Sequence, residues 1–168
     1  LLQPTNLKDE SFLAELKALN ANLQIVVAFR MLPKVVWEMP SLGTFNLHAS
    51  LLPNYRGAAP INWAIINGET KTGVTTFFID DKIDTGAMIL NSEIDIEPTE
   101  NAGQLHDRLM HLGSTTVIET LKVIENGNVS TTIQEDHADI KTAYKLNKEN
   151  CKIEKRRFAF QLIQNDFE

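Results

Sequence analysis

Cysteine is almost missing from this chain. Cys151 stands alone, so an internal disulfide framework is excluded and a reducing compartment, the cytoplasm, is the expected setting. No apolar run approaches the roughly 20 residues needed to cross a bilayer, so no membrane span is expected. No C-x-x-C, H-E-x-x-H, G-x-G-x-x-G or Walker sequence is present, and with them go the signals for a metal, a dinucleotide or a nucleoside triphosphate. His106 and His111 are five apart on a helical stretch and cannot share one metal from one face. Together with His137 they read as structural. Ser50 has no G-x-S-x-G setting and so no support as a nucleophile. Repeats and low-complexity stretches are absent as well. The opening Leu1-Leu2-Gln3-Pro4 has neither an initiator Met nor a signal-peptide pattern, and it reads as an entry into the middle of a longer chain.

What is present suits one domain. Over 168 residues, 43% are hydrophobic, enough for a core, and 23% are charged. The net charge of −6 divides unevenly along the chain. Residues 1–140 carry 9 Lys/Arg against 18 Asp/Glu, a balance of −9, and would repel polyanions. Residues 141–157 carry 7 against 2, a balance of +5. That basic segment is either a solvated linker or a strip that touches nucleic acid.

The periodicity predicts a helix over 9–20, where Phe12, Leu13, Leu16 and Leu19 repeat at three-and-four spacing. Residues 23–29 (LQIVVAF) predict a parallel strand buried on both faces. A short helix over 33–38 and a strand over 44–48 complete one βαβ-type unit. Further on come a helix over 58–67 with Pro60 in its first turn, a strand over 73–79 and a second over 87–96 in hairpin relation. A long helix over 104–125 presents Leu105, Leu109, Leu112, Ile118, Leu121 and Ile124 on one face. An edge strand is expected over 129–134, and from about Lys141 the pattern becomes a linker. The class is α/β, and a parallel sheet that begins with a helix is expected to be incomplete at its N-terminus.

Three stretches could hold chemistry. Asn46 and His48, two apart on a strand, share a face at its carboxyl end, where ligands bind in open α/β sheets. An imidazole can move protons and a neighbouring amide can donate to an oxyanion, though Asn-x-His also suits an ordinary hydrogen-bonded strand end. In the following loop, Leu51 and Leu52 serve either as core plugs or as one wall of an apolar slot. Asp80, Asp81 and Asp84 form an acidic loop. Turn-making caps explain Asp80 and Asp81 on residues alone. Asp84 would orient His48 if it reached it, which spacing does not decide.

The ordered set is specific where each piece is not. The run FNLHASLLPNYRGAAPINWAIINGE, then TGVTTFFID and IDTG, closely resembles the methionyl-tRNA formyltransferases, within the wider formyltetrahydrofolate-dependent formyltransferases. The resemblance covers most of residues 1–147. It implies a Rossmann-like catalytic domain, here partial over 1–140, followed by a linker and the start of a mostly absent C-terminal domain over 141–168. It implies Asn46, His48 and Asp84 as the catalytic trio, with Ser50, Leu51, Leu52 and Pro53 lining a folate site. It further implies that Arg30, Met31 and Leu32 border the pterin ring, with Asp80 and Asp81 on its other side.

By the same resemblance the formyl donor is 10-formyltetrahydrofolate with no metal, and the acceptor is initiator methionyl-tRNA. A monomer is expected. tRNA binding is expected to be weak if the segments that grip it are truly absent. Tyr55-Arg56-Gly57-Ala58-Ala59-Pro60 favours the tRNA branch. The alternatives are a sugar-nucleotide amine as acceptor, a hydrolase releasing formate, and a catalytically incomplete folate- or RNA-binding remnant. The tail after Ile153 does not follow the family pattern.

Overall fold

The computed structural model describes residues 1–28, 30–127 and 129–150. Phe29, Cys151 and the tail after Ile153, all of which figure in the sequence reading, lie outside the described residues.

Helix α1 (Glu10–Ala18) starts at Asp9, whose carboxylate accepts from the Ser11 and Phe12 amides at 3.0 and 3.1 Å. Such a cap contributes about 1 kcal/mol. Strand β1 (Gln24–Val27), helix α2 (Lys34–Trp37) and strand β2 (Thr44–His48) follow, with β1 and β2 parallel. The two-residue strand β3 (Arg56–Gly57) precedes helix α3 (Pro60–Ile66). Strands β4 (Lys71–Phe78) and β5 (Met88–Asp95) form the expected antiparallel hairpin. Helix α4 (Ala102–Glu125) opens with a capping box in which Asn101 and Gln104 satisfy each other's backbone amides. Strand β6 (Thr142–Ala143) completes the order.

The main sheet runs β1-β2-β4-β5, with β2 and β4 antiparallel, and α4 packs on β4 and β5. Phe45, Ile89 and Ile124 centre one apolar cluster; Val74, Leu105 and Leu109 centre another. Complete burial of a side chain such as Phe45 is worth about 1.5–3 kcal/mol. Among the described residues, no helix is long and apolar enough to cross a membrane.

Four expectations are corrected. β1 is an edge strand whose Ile25 and Val27 remain 43% and 57% exposed, not a strand buried on both faces. A continuous apolar run cannot report whether a neighbour covers its second face. Ile118 faces outward, and the buried stripe of α4 runs instead through Gly113, Thr116 and Thr120. Residues 129–134 make one isolated bridge, Met88 to Thr132, rather than a strand. Thr142-Ala143, inside the expected linker, pair in parallel with Arg56-Gly57, and Ala143 is fully buried.

Candidate active site

The carboxyl ends of β1 and β2 open into a cavity of about 970 Å³, at the upper end of the usual range for ligand pockets. Its walls are mostly apolar, with Val26, Met31, Leu32, Trp37, Leu47 and Ile61 among them. Asn46, His48 and Asp84 all line it, as do Arg30, Asp80 and Asp81.

β2 fixes two of these side chains. Asn46 sits in register with Phe77 and His48 with Thr75, and strand alternation directs both residues to one face. His48 is buried, and its Nε2 lies 2.8 Å from the Tyr55 carbonyl oxygen. A carbonyl only accepts, so Nε2 carries the proton in that bond. This leaves Nδ1 as the free edge of the ring, 3.8 Å from Asp84 Oδ2: too long for a hydrogen bond, but within ion-pair range if the imidazole is protonated. Among the described residues Asn46 Oδ1, a buried acceptor, meets no hydrogen-bond donor.

Asp84 reaches His48 because its own loop is tightly tied. Its backbone adopts φ 55°, a left-handed conformation that aspartate tolerates better than most residues. Oδ2 accepts from the Gly57 amide at 2.9 Å. The buried Gln134 donates to the carbonyls of Asp84 and Gly86 at 2.9 and 2.8 Å. Gly86 is required, since a Cβ there would lie 1.6 Å from the Phe78 carbonyl oxygen.

The remaining expected residues are placed as follows. Asp80 accepts from the Lys82 amide and from the Thr85 hydroxyl, both at 2.9 Å, so it caps the loop as well as facing the cavity. Asp81 faces Lys34 across 3.8 Å at the exposed rim. The Arg30 guanidinium reaches the Pro4 carbonyl at 3.0 Å, and Met31 is largely exposed. Ser50, Leu51, Leu52 and Pro53 do not line the cavity. The Thr75 hydroxyl accepts from the Leu52 amide at 3.1 Å and donates to the Ser50 carbonyl at 2.7 Å. Leu51 lies over Gly73, where a Cβ would come within 2.6 Å of its Cδ2. This segment is turned onto β4, the core-plug alternative that the residues alone left open. His106, read as structural, borders the cavity from α4.

Gln134 and Trp37 carried no functional signal in the sequence, and Tyr55 entered only as part of the segment read as favouring a tRNA acceptor. Tyr55 is buried at φ 62°, and its hydroxyl donates to Glu69, which also receives Lys141. Burial, with the Glu69 hydrogen bond, pushes the Tyr55 phenol above its ordinary value. Burial also acts to raise Glu69, but the Lys141 and Tyr55 hydrogen bonds outweigh it and hold the carboxyl below its ordinary value. Among the described residues, no three His, Cys, Asp or Glu converge as a metal site.

A mixed sheet with a ligand-sized cavity at its parallel strand ends, bordered by Asn, His and Asp, defines an α/β protein with a candidate ligand site at the strand ends. Residues 1–121 match the formyl transferase family, and the chain belongs to it. The chain is 94% identical over 154 residues to the methionyl-tRNA formyltransferase of Flavobacterium johnsoniae, covering 92% of this chain and 49% of that protein. It is 58% identical over 157 residues to the one from Bacteroides fragilis, covering 92% and 48%. The chain thus spans about half the length of the curated relatives it matches.

Among solved structures it resembles an N-formyltransferase of Helicobacter canadensis, solved with folinic acid and dTDP-3-aminofucose. That match has a TM-score of 0.62 and 27% identity, over 71% of this chain and 44% of that one. The fold is also that of the formyltransferase PseJ of Anoxybacillus kamchatkensis, with a TM-score of 0.69 and 23% identity over 84% of this chain and 72% of that one.

Proposed function

We propose that this chain holds the catalytic site for transfer of a formyl group from 10-formyltetrahydrofolate to the amino group of methionyl-initiator tRNA, in the cytoplasm, for translation initiation. The observation that carries the reading is the convergence of Asn46, His48 and Asp84 on one large apolar cavity, with His48 Nδ1 facing Asp84 Oδ2 at 3.8 Å. The fit of a formylated folate rests on the cavity's size and apolar walls and on the buried acceptor Asn46 Oδ1. The methionyl-tRNA acceptor rests on the identities to relatives so named.

A neutral amine attacks the formyl carbon and forms a new C–N bond. The carbonyl π pair moves to oxygen, giving a tetrahedral intermediate with an oxyanion and a cationic nitrogen. Asn46 and protonated His48 stabilise that oxyanion. The Tyr55 carbonyl occupies Nε2, so the proton that His48 presents is the one on Nδ1. Asp84, 3.8 Å from Nδ1, faces that edge of the ring and helps pass the amine's proton, through water, to the departing folate nitrogen as the old C–N bond breaks. Ser50, Leu51, Leu52 and Pro53 contribute indirectly in this reading, by carrying the chain from His48 to Tyr55. Arg30, Met31, Leu32, Asp80 and Asp81 form the donor side of the cavity.

A sugar-nucleotide amine is the second reading, favoured by the likeness to the Helicobacter canadensis enzyme. One assay tests both. The chain is incubated with 10-formyltetrahydrofolate and either charged initiator tRNA or a sugar-amine nucleotide, and the formylated product is measured. Formyl-methionyl-tRNA is expected. His48→Ala should lower turnover at least about a hundredfold while folate binding persists. Near-normal turnover in that variant would reject the assignment.

A further inference from the structure

We infer that Gln134 is a positioning residue for Asp84, acting from outside the cavity together with Arg56; its catalytic consequence rests on the formyl-transfer reading above. Gln134 is buried and does not line the cavity. Its amide nitrogen donates to two carbonyls of one turn, Asp84 at 2.9 Å and Gly86 at 2.8 Å. Its Oε1 accepts from Arg56 Nε at 2.9 Å, and Arg56 Nη1 is held in turn by Asp136 at 2.6 Å.

The demand on this position is specific. It needs two N–H donors on one side and an acceptor on the other, at the end of a three-carbon reach. A glutamate lacks the donors, a methionine lacks donors and a strong acceptor, and a lysine lacks the acceptor. The residue after Arg56 is Gly57, whose amide donates to the Asp84 carboxylate at 2.9 Å. Arg56-Gly57 therefore grips Asp84 at both ends: the carboxylate directly, and the backbone carbonyl through Gln134.

This grip matters because Asp84 sits at φ 55°. A non-glycine residue in that region persists only where its surroundings over-determine it. Without the Gln134 donors, the Asp84–Gly86 turn can relax, and its carboxylate shifts relative to both Gly57 and His48. A misplacement of about 1 Å in a catalytic constellation can cost on the order of a hundredfold in rate.

The test replaces Gln134 in the whole chain. Gln134→Glu keeps the size and the acceptor for Arg56 but removes both donors. Gln134→Met, a variant of similar length without charge, serves if the first does not fold. The direct readout is the Gly57 amide proton in a nitrogen–proton NMR correlation spectrum, with Asp84→Asn as the reference for a weakened bond. In the Gln134 variants that resonance should move upfield, toward its position in Asp84→Asn. In the formyl-transfer assay kcat should fall about ten- to a hundredfold while KM for the folate donor changes by less than about threefold.

An unmoved Gly57 amide with unchanged kcat, and only a lower unfolding midpoint, would overturn the inference and leave Gln134 as an anchor for its own segment. If the parent chain transfers no formyl group but Gly57 still responds, the formyl-transfer reading fails and the positioning stands. If the parent chain is active and Gly57 does not respond, the positioning fails and the formyl-transfer reading stands.

Discussion

Single residues set this site through conformations that most side chains resist. Asp84 occupies the left-handed region, and Gly86, two residues on, approaches the Phe78 carbonyl so closely that a Cβ would come within 1.6 Å of its oxygen. No flexible side chain can yield there, because the obstacle is backbone. Gly86→Ala is therefore expected to cost about 3 kcal/mol or more, read as a lower urea midpoint. A midpoint equal to the parent's would show that the turn has room it does not display. The pairing of Asn46 with His48 on one face was legible from strand alternation alone. The approach of Asp84 to His48 was not, because it depends on Gly57 and Gln134, which reach the turn from two distant segments. No local spacing rule covers ties of that kind.

Between elements, the helix–sheet interface uses hydroxyls where an apolar stripe was predicted. Thr120 meets Thr76 of β4 at 2.8 Å and donates to the Thr116 carbonyl at 2.8 Å; Thr116 donates to Ser92 of β5 at 2.9 Å. These residues are buried because each hydroxyl finds a partner in its own helix or across the interface, so burial costs them little. Thr120→Val keeps the shape but removes one partner of the Thr76 hydroxyl, which retains the Leu90 backbone at 3.2 and 3.4 Å, and should lower unfolding stability by about 1 kcal/mol. The double variant Thr76→Val/Thr120→Val should lose less than the sum of the two single losses, since the bond the two hydroxyls share is lost in each single variant. Strict additivity in chemical denaturation would count against a working bond. Threonine gives no apolar signal, which is why a hydrophobic pattern put Ile118 on the buried face instead. The apolar periodicity passed over the cap at Asn101, and the helix starts two residues before the expected Gln104.

At the scale of the whole molecule, the chain closes on itself at Lys141. There the backbone carbonyl accepts from Tyr55, the side chain meets Glu69, and the next two residues pair with Arg56-Gly57. Folding lowers the Glu69 carboxyl from its ordinary value of 4.5, because the Lys141 and Tyr55 hydrogen bonds outweigh the upward push of burial. A depressed acid contributes stability that is complete above the unfolded value and is lost as pH falls through the folded one. The parent should thus lose stability below about pH 4.5 more steeply than Glu69→Gln, compared by unfolding free energy across pH; parallel curves would reject this linkage.

The sequence by itself determined the α/β class, nearly all the main elements, the shared face of Asn46 and His48, and the family, because alternation, helical periodicity and an ordered motif are written in neighbouring residues. Only the tertiary structure decided that β1 is an edge, that Ser50–Pro53 turn onto β4, that Thr142-Ala143 join the domain, and that Gln134 holds the Asp84 turn. Each of these depends on which distant groups meet, and contacts across many tens of residues leave no periodic trace in the chain.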